Sequence, residues 1–121
     1  MSSKTPSILL VDDDEAGRYA TSKVLERGGF EVTQASDYMR ALAIIQSDAP
    51  IDLLLTDIVM PEGVHGFALA RMARMRRMGM KVLYMTGFDV PTVEAVGKVL
   101  RKPISDEELI REIREALELK A

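Results

Sequence analysis

The feature that most restricts the fold of this chain is a set of short apolar runs too unbroken to lie in a one-sided sheet. Ser7–Val11 reads SILLV, 53–56 reads LLLT, 81–85 reads KVLYM and 98–100 reads KVL. A strand with one face in water alternates apolar and polar residues, whereas a strand covered on both faces is apolar throughout. Runs of this kind imply a parallel sheet with helices packed on both sides. A fifth run, Glu31–Ala35 (EVTQA), does alternate, which suits the edge of such a sheet.

Helical spacing fills the intervals between the runs. From 14 to 27, Ala16, Tyr19, Ala20 and Val24 recur on one face, and Gly28-Gly29 supplies a stop. Ser36 is placed to cap a second helix whose Tyr38, Leu42 and Ile45 share a face, with Pro50 beyond its end. A third helix is expected over 66–77. The last is the best marked: Ser105 and Glu108 form a capping box, and Ile104 and Leu109 stand where a hydrophobic staple would put them. Its stripe of Leu109, Ile113, Ala116 and Leu117 faces a core. Between 85 and 98 the helical signal is weak, and Gly97 interrupts it, so one or two turns are expected within 89–96. Strands and helices alternating in this way predict a doubly wound three-layer α/β/α fold with a five-stranded parallel sheet and right-handed crossovers. A single domain over 1–121 is expected, with residues 1–6 and the last few loose.

Composition removes several kinds of chemistry. There is no cysteine and one histidine, which excludes disulfide frameworks and thiolate chemistry and leaves little for imidazole-rich metal sites. Sixteen Lys and Arg against nineteen Asp and Glu give a net charge of -3, without the positive field that draws proteins to nucleic acid. The apolar runs fall far short of the ~20 residues that span a bilayer, and the N-terminus has no secretory pattern, so a cytoplasmic protein without membrane insertion is expected.

Ligands of open parallel sheets bind beyond the carboxyl ends of the strands. Here the first strand runs out in Asp12-Asp13-Asp14, the third in Asp57, the fourth in Thr86 and the fifth in Lys102-Pro103. Carboxylates about 4 Å apart repel by ~4 kcal/mol per pair at an effective dielectric of 20, so such a cluster calls for a proton or a cation. Oxygen ligands alone favour Mg²⁺, which commonly takes one or two carboxylates plus a phosphate. One carboxylate can then attack phosphorus, while Lys102 and Thr86 meet the charge on the phosphoryl oxygens.

VDDD at 11–14, TDIVMP at 56–61, MTG at 85–87 and KP at 102–103 together resemble a response-regulator receiver domain of two-component signalling, over nearly the whole chain. The resemblance implies a flavodoxin-like strand order 2-1-3-4-5. It implies that Asp57 accepts a phosphoryl group from the phosphohistidine of a histidine kinase or phosphotransfer protein. Asp12, Asp13, Asp57 and the backbone carbonyl of Val59 would bind Mg²⁺, with Mn²⁺ as a substitute. Thr86 and Lys102 would contact the phosphoryl oxygens, and the Lys102–Pro103 peptide would be cis. The chain would be a switch that changes its binding of a downstream protein, with self-catalysed phosphotransfer and slow loss of the phosphate, rather than an enzyme.

Three features depart from that family. The loop Glu62-Gly63-Val64-His65-Gly66 is one residue longer than usual and lacks an acid before the glycine. Val99 stands where receivers usually carry an aromatic switch residue, and the stretch from Gly87 to Arg101 is short, so the fourth helix should be truncated. Asp14 reads as a helix cap and His65 as a loop residue without a catalytic task. Arg71, Arg74, Arg76, Arg77 and Lys81 read as a charged outer face, or else as a dock for an acidic partner; Met72, Met75 and Met78 read as core filling, ahead of an exposed subset forming a partner surface. The leading reading is a stand-alone receiver module whose output is by binding; other readings are a receiver fragment of a hybrid kinase, a Mg²⁺-dependent phosphatase working through the same aspartyl intermediate, and an interaction module that is not phosphorylated.

Overall fold

A computed structural model describes residues 5–61 and 63–119. Five strands, β1 (Ser7–Val11), β2 (Glu31–Ala35), β3 (Leu53–Asp57), β6 (Lys81–Thr86) and β7 (Lys98–Arg101), form a parallel sheet in the order β2-β1-β3-β6-β7. Numbered within that sheet alone, the order is the expected 2-1-3-4-5. Helices α1 (Glu15–Arg27), α2 (Tyr38–Ile45), α3 (Gly66–Arg76) and α4 (Asp106–Ala116) cover it.

The reason for the unbroken apolar runs is visible in how each strand divides its side chains. Leu9, Val11, Leu54, Val82 and Tyr84 pack into one core with Ala41, Ile45, Phe67, Leu69, Ala70 and Ala73 of α2 and α3. Ile8, Leu10, Leu53, Leu55, Leu83 and Met85 pack into a second core with Leu25 of α1 and Leu109 and Ile113 of α4. Alternate residues of one strand thus serve opposite cores, so every position on β1, β3 and β6 is buried except Lys81 at the start of β6. Each fully buried leucine contributes roughly 1.5–3 kcal/mol relative to exposure. The sheet's β2 edge is mostly exposed, as its alternation requires.

Caps set the helix starts. The Asp14 side chain accepts the Gly17 N–H at 2.9 Å, and Ser105 accepts the Glu108 N–H at 3.1 Å, both at the expected ends. For α2 the cap is Asp37, not Ser36: Asp37 Oδ1 accepts the Arg40 N–H at 2.8 Å. The next residue along offers a charged acceptor to the positive end of the helix, where a hydroxyl offers a weaker one.

Two segments differ from expectation. After β3 the chain makes a small antiparallel hairpin, β4 (Val59–Met60) with β5 (Gly63–Val64), pairing Met60 with Gly63. Gly63 has φ 124, a conformation that favours glycine. Between β6 and β7 the shortening goes further than one or two helical turns, and what remains is a single turn closed by Ala95 N–H to Thr92 O at 3.0 Å. Pro91 turns Val90 away from helical backbone. A Cβ on Gly97 would collide with the Val82 carbonyl, so this segment lies flat on the sheet. It is pinned there by Val96 N–H to Tyr84 Oη at 3.1 Å and by Arg74 to Val96 O at 3.2 Å.

The arginines of α3 act largely as staples. Arg76 donates to Gln46 O at 2.9 Å, and Arg77 to Ile45 O at 3.1 Å and Ser47 O at 2.7 Å, satisfying carbonyls at the C-terminus of α2. Met72, Met75 and Met78 are not core residues: they are 37%, 77% and 92% exposed. Phe67, Leu69, Ala70 and Ala73 already fill the arc of α3 that meets the sheet. Of the terminal residues expected to be loose, 1–4 and 120–121 lie outside the described residues, while Pro6 O accepts the Glu31 N–H at 2.9 Å.

Candidate functional site

Parallel register delivers the carboxyl ends of β1, β3, β6 and β7 to one rim. Asp12 follows Val11, which pairs with Thr56; Asp57 closes β3 opposite Met85; and Thr86 closes β6 opposite Arg101, one residue before Lys102. Lys102 is held in line by its N–H to Thr86 O at 2.8 Å, and its peptide to Pro103 is cis. The side chains converge as the sequence predicts. Lys102 Nζ lies 2.8 Å from Asp57 Oδ1 and 3.9 Å from Asp12 Oδ2. Carboxylate oxygens of Asp12, Asp13 and Asp57 lie within 4.8 Å of one another. Asp12 and Asp57 are buried and Asp13 is exposed. A cavity of about 140 Å³ opens over them, lined also by Asp14, Val59, Thr86, Gly87, Phe88 and Lys102.

The electrostatics of this rim are unbalanced. Three carboxylates face a single ammonium, and two of the three are buried. Burial first, then the neighbouring Asp12, push the Asp57 carboxyl up from 3.8 to about 7 against the opposing pull of Lys102. Burial works against the Lys102 ammonium, yet its bond to Asp57 and the charges of Asp57, Asp12 and Asp14 outweigh this and hold its pKa above the ordinary 10.5. A hard dication suits this all-oxygen, charge-rich donor set, which contains neither thiolate nor imidazole.

Several residues that position the site carry no signal in the sequence. Arg18 donates to Asp12 O at 2.7 Å and to Gln34 Oε1 at 3.1 Å, tying the end of β1 to β2. The buried Thr56 hydroxyl donates to Asp57 O at 2.9 Å. A Cβ on Gly66 would stand 2.5 Å from Asp57 O and 2.6 Å from Ile58 Cα, so α3 begins hard against the strand end that carries Asp57. The Arg18 and Gly66 contacts depend on separate segments meeting, whereas the Thr56 bond is local. The Asp14 carboxylate is occupied as the α1 cap. Thr86 Oγ1 accepts the Phe88 N–H at 3.0 Å and reaches Phe88 O at 3.3 Å. His65 precedes α3 with its ring 5.4 Å from that of Tyr38, and it is not among the residues lining the acidic cavity.

This rim, on a doubly wound sheet of this order, gathers an acidic pocket, an ammonium and a hydroxyl at the carboxyl ends of the strands. The chain belongs to the response regulator receiver domain family, whose model matches residues 8–114. It is 39% identical over 116 residues to the response regulator receiver protein CpdR of Brucella abortus, covering 91% of this chain and 95% of that one. It is 35% identical to the transcriptional regulatory protein FixJ of Azorhizobium caulinodans, of which it spans 53%. Among solved structures it resembles a CheY-like receiver domain protein of Methanospirillum hungatei, with TM-score 0.87, 31% identity and 95% of both chains covered. It also resembles the receiver domain of the hybrid histidine kinase CckA, with TM-score 0.80, 32% identity and 92% and 98% of the two chains covered. Receiver domains are signalling switches of two-component systems rather than enzymes in the ordinary sense. No helix among the described residues is long and apolar enough to cross a membrane.

Proposed function

We propose that this chain is a phosphoryl-accepting switch in which Asp57 takes a phosphoryl group from a histidine kinase or phosphotransfer protein, and in which the loaded and free states differ in affinity for a partner protein. The observation that carries this reading is the Lys102 ammonium 2.8 Å from Asp57 beside two further carboxylates whose oxygens lie within 4.8 Å. Asp12, Asp13, Asp57 and the carbonyl of Val59 are the groups that would hold Mg²⁺, or Mn²⁺ in its place. When bound, the ion offsets the excess negative charge and draws charge from a phosphoryl oxygen.

The chain's own residues do the rest. An Asp57 oxygen attacks phosphorus; the bond from phosphorus to the donor imidazole nitrogen breaks; the electron pair stays on that nitrogen, which takes up a proton. Lys102 then pairs with one phosphoryl oxygen in place of the carboxylate it now holds. The Thr86 hydroxyl turns to another, which requires it to leave Phe88. Release of Phe88 couples the site to the 87–97 segment, and this supplies a readout in a chain that has Val99 in place of a switch aromatic. Such a domain works in the cytoplasm, where kinases supply phosphohistidine. A second setting, as the receiver of a longer hybrid kinase, is favoured by the likeness to the CckA receiver.

Incubation with acetyl phosphate and Mg²⁺, followed promptly by intact mass, tests the reading. One phosphoryl increment on the wild type and none on Asp57→Asn is expected. No increment on the wild type, together with no shift of site resonances by beryllofluoride and Mg²⁺, would leave an interaction module that is not phosphorylated. Sustained release of phosphate from excess substrate would point to a phosphatase instead.

A further inference from the structure

The outward face of α3 has no part in the acidic rim, and its composition is one-sided. Between Glu62 and Asp89 the chain carries five cations, Arg71, Arg74, Arg76, Arg77 and Lys81, and no acid, in a protein of net charge -3. Glu94 offsets Arg71 and Glu118 offsets Lys81. Arg74, Arg76 and Arg77 are held by carbonyl oxygens, which fix the guanidinium groups without cancelling their charge. The surface therefore presents cations whose positions are set in advance.

Between those cations lies an apolar strip. Ala68, Met72 and Met75 recur at i, i+4 and i+7 on the side of α3 away from the buried Phe67, Ala70 and Ala73, with Arg71 and Arg76 on its two flanks. Met75 is 77% exposed, and Met78, just past the helix, is 92% exposed. Scattered apolar residues on a surface are ordinary, but a helical stripe of unbranched thioethers bordered by one sign of charge has the form of a helix-packing face.

We propose that this face of α3 docks an amphipathic helix of a partner protein, with an apolar stripe seated on Met72 and Met75 and acidic residues along its edges. Charge fixes the class of partner: glutamates and aspartates flanking the stripe complement Arg76 on one edge and compete with Glu94 for Arg71 on the other, while a basic helix is repelled. The proposal stands apart from phosphoryl acceptance, since none of these residues lines the acidic cavity.

Two designed peptides with the same leucine stripe, one flanked by glutamates and the other by lysines, test it by titration into the ¹⁵N-labelled full chain. The glutamate-flanked helix should move amide resonances of 68–78, bind at least about tenfold more tightly than the lysine-flanked one, and weaken as salt rises. Met75→Glu and, separately, Arg71→Glu should each weaken it about tenfold, with unchanged melting temperatures showing that the fold is intact. Equal binding of the two peptides, shifts centred elsewhere, indifference to both substitutions, tighter binding of a DNA duplex to the same residues, or self-association through this face would each overturn the proposal.

Discussion

Replacing Asp57 by asparagine should stabilise the metal-free protein above neutral pH, although it removes the residue at the centre of the site. The folded state holds the Asp57 carboxyl at about 7 against 3.8 in a free side chain, chiefly because it is buried and has Asp12 beside it. Between those values the folded chain keeps a proton that the unfolded chain has released, so folding stability falls as pH rises through this window and levels off above it. Each tenfold change in proton affinity is worth ~1.4 kcal/mol, so the full penalty approaches ~4 kcal/mol above pH 7. Asparagine has the same shape and cannot ionise, so it escapes this cost while giving up the ion pair with Lys102, whose pull is already contained in the value of about 7. Urea unfolding at half-unit steps from pH 4.5 to 8.5, with EDTA present, measures the effect. The variant's advantage should be smallest at the acid end and grow to as much as ~4 kcal/mol by pH 8. Mg²⁺ at pH 8 should narrow the gap by stabilising the wild type more than the variant, which keeps Asp12, Asp13 and the Val59 carbonyl but loses one charged ligand, each by RT ln(1 + [Mg²⁺]/Kd) with its own Kd. A variant less stable than wild type at pH 8, or a difference that does not change with pH, would refute the view that charge crowding dominates this rim.

Other substitutions probe single contacts. Lys102→Ala removes the ammonium 2.8 Å from Asp57; one charge-assisted bond of ~1.5–3 kcal/mol corresponds to a roughly tenfold to hundredfold slower reaction with acetyl phosphate, followed by intact mass. The same change should tighten Mg²⁺ binding by calorimetry, because a competing cation has gone. Gly66→Ala places a methyl group where Asp57 O and Ile58 Cα already stand, 2.5 and 2.6 Å away; thermal unfolding should show a loss of about 1–3 kcal/mol. Tyr84→Phe leaves the Val96 N–H without its acceptor. A loss of ~1 kcal/mol in urea unfolding should accompany faster amide exchange at Val96, with exchange in β1 and β3 altered no more than the global change requires.

Much of this architecture was legible because the sheet writes itself into the sequence. Leu9 and Leu10 must both be apolar when one faces α2 and α3 and the other faces α1 and α4. The site was legible for the same reason: where an apolar run ends in Asp12, Asp57, Thr86 or Lys102, the polar group falls on the rim that parallel strands share. What escaped depends on contacts between segments remote in the chain. Whether Ser36 or Asp37 caps α2 turns on a backbone angle that either residue permits. The loss of helix between β6 and β7 follows from Gly97 lying on the Val82 carbonyl and from Val96 reaching the Tyr84 hydroxyl, neither of which a local period records. Met72 and Met75 fit a core stripe by spacing, yet a helix has two sides, and Phe67, Ala70 and Ala73 took the buried one.

The free state also limits how far the proposed switch can swing. Driving a two-state equilibrium from 1:99 to 99:1 requires about 5.5 kcal/mol of differential interaction. Two charge-assisted bonds to phosphoryl oxygens, at ~1.5–3 kcal/mol each, approach that sum only if they are new. Here neither is: Lys102 already pairs with Asp57, and Thr86 already bonds to Phe88. Phosphorylation therefore exchanges bonds, and its net bias is the difference between the stronger and the weaker partner at each. Lys102 moves from a carboxylate to an oxygen of a more highly charged group, and Thr86 moves from a neutral amide to an anion, so both exchanges favour the loaded state by part of a full bond. A partial bias suits a segment without a helix to reorient. The 87–97 stretch is held by the Thr86 contacts at one end and by Tyr84, Arg71 and Arg74 further along, so freeing Phe88 loosens one end while the other stays pinned, and contacts made by the partner complete the shift.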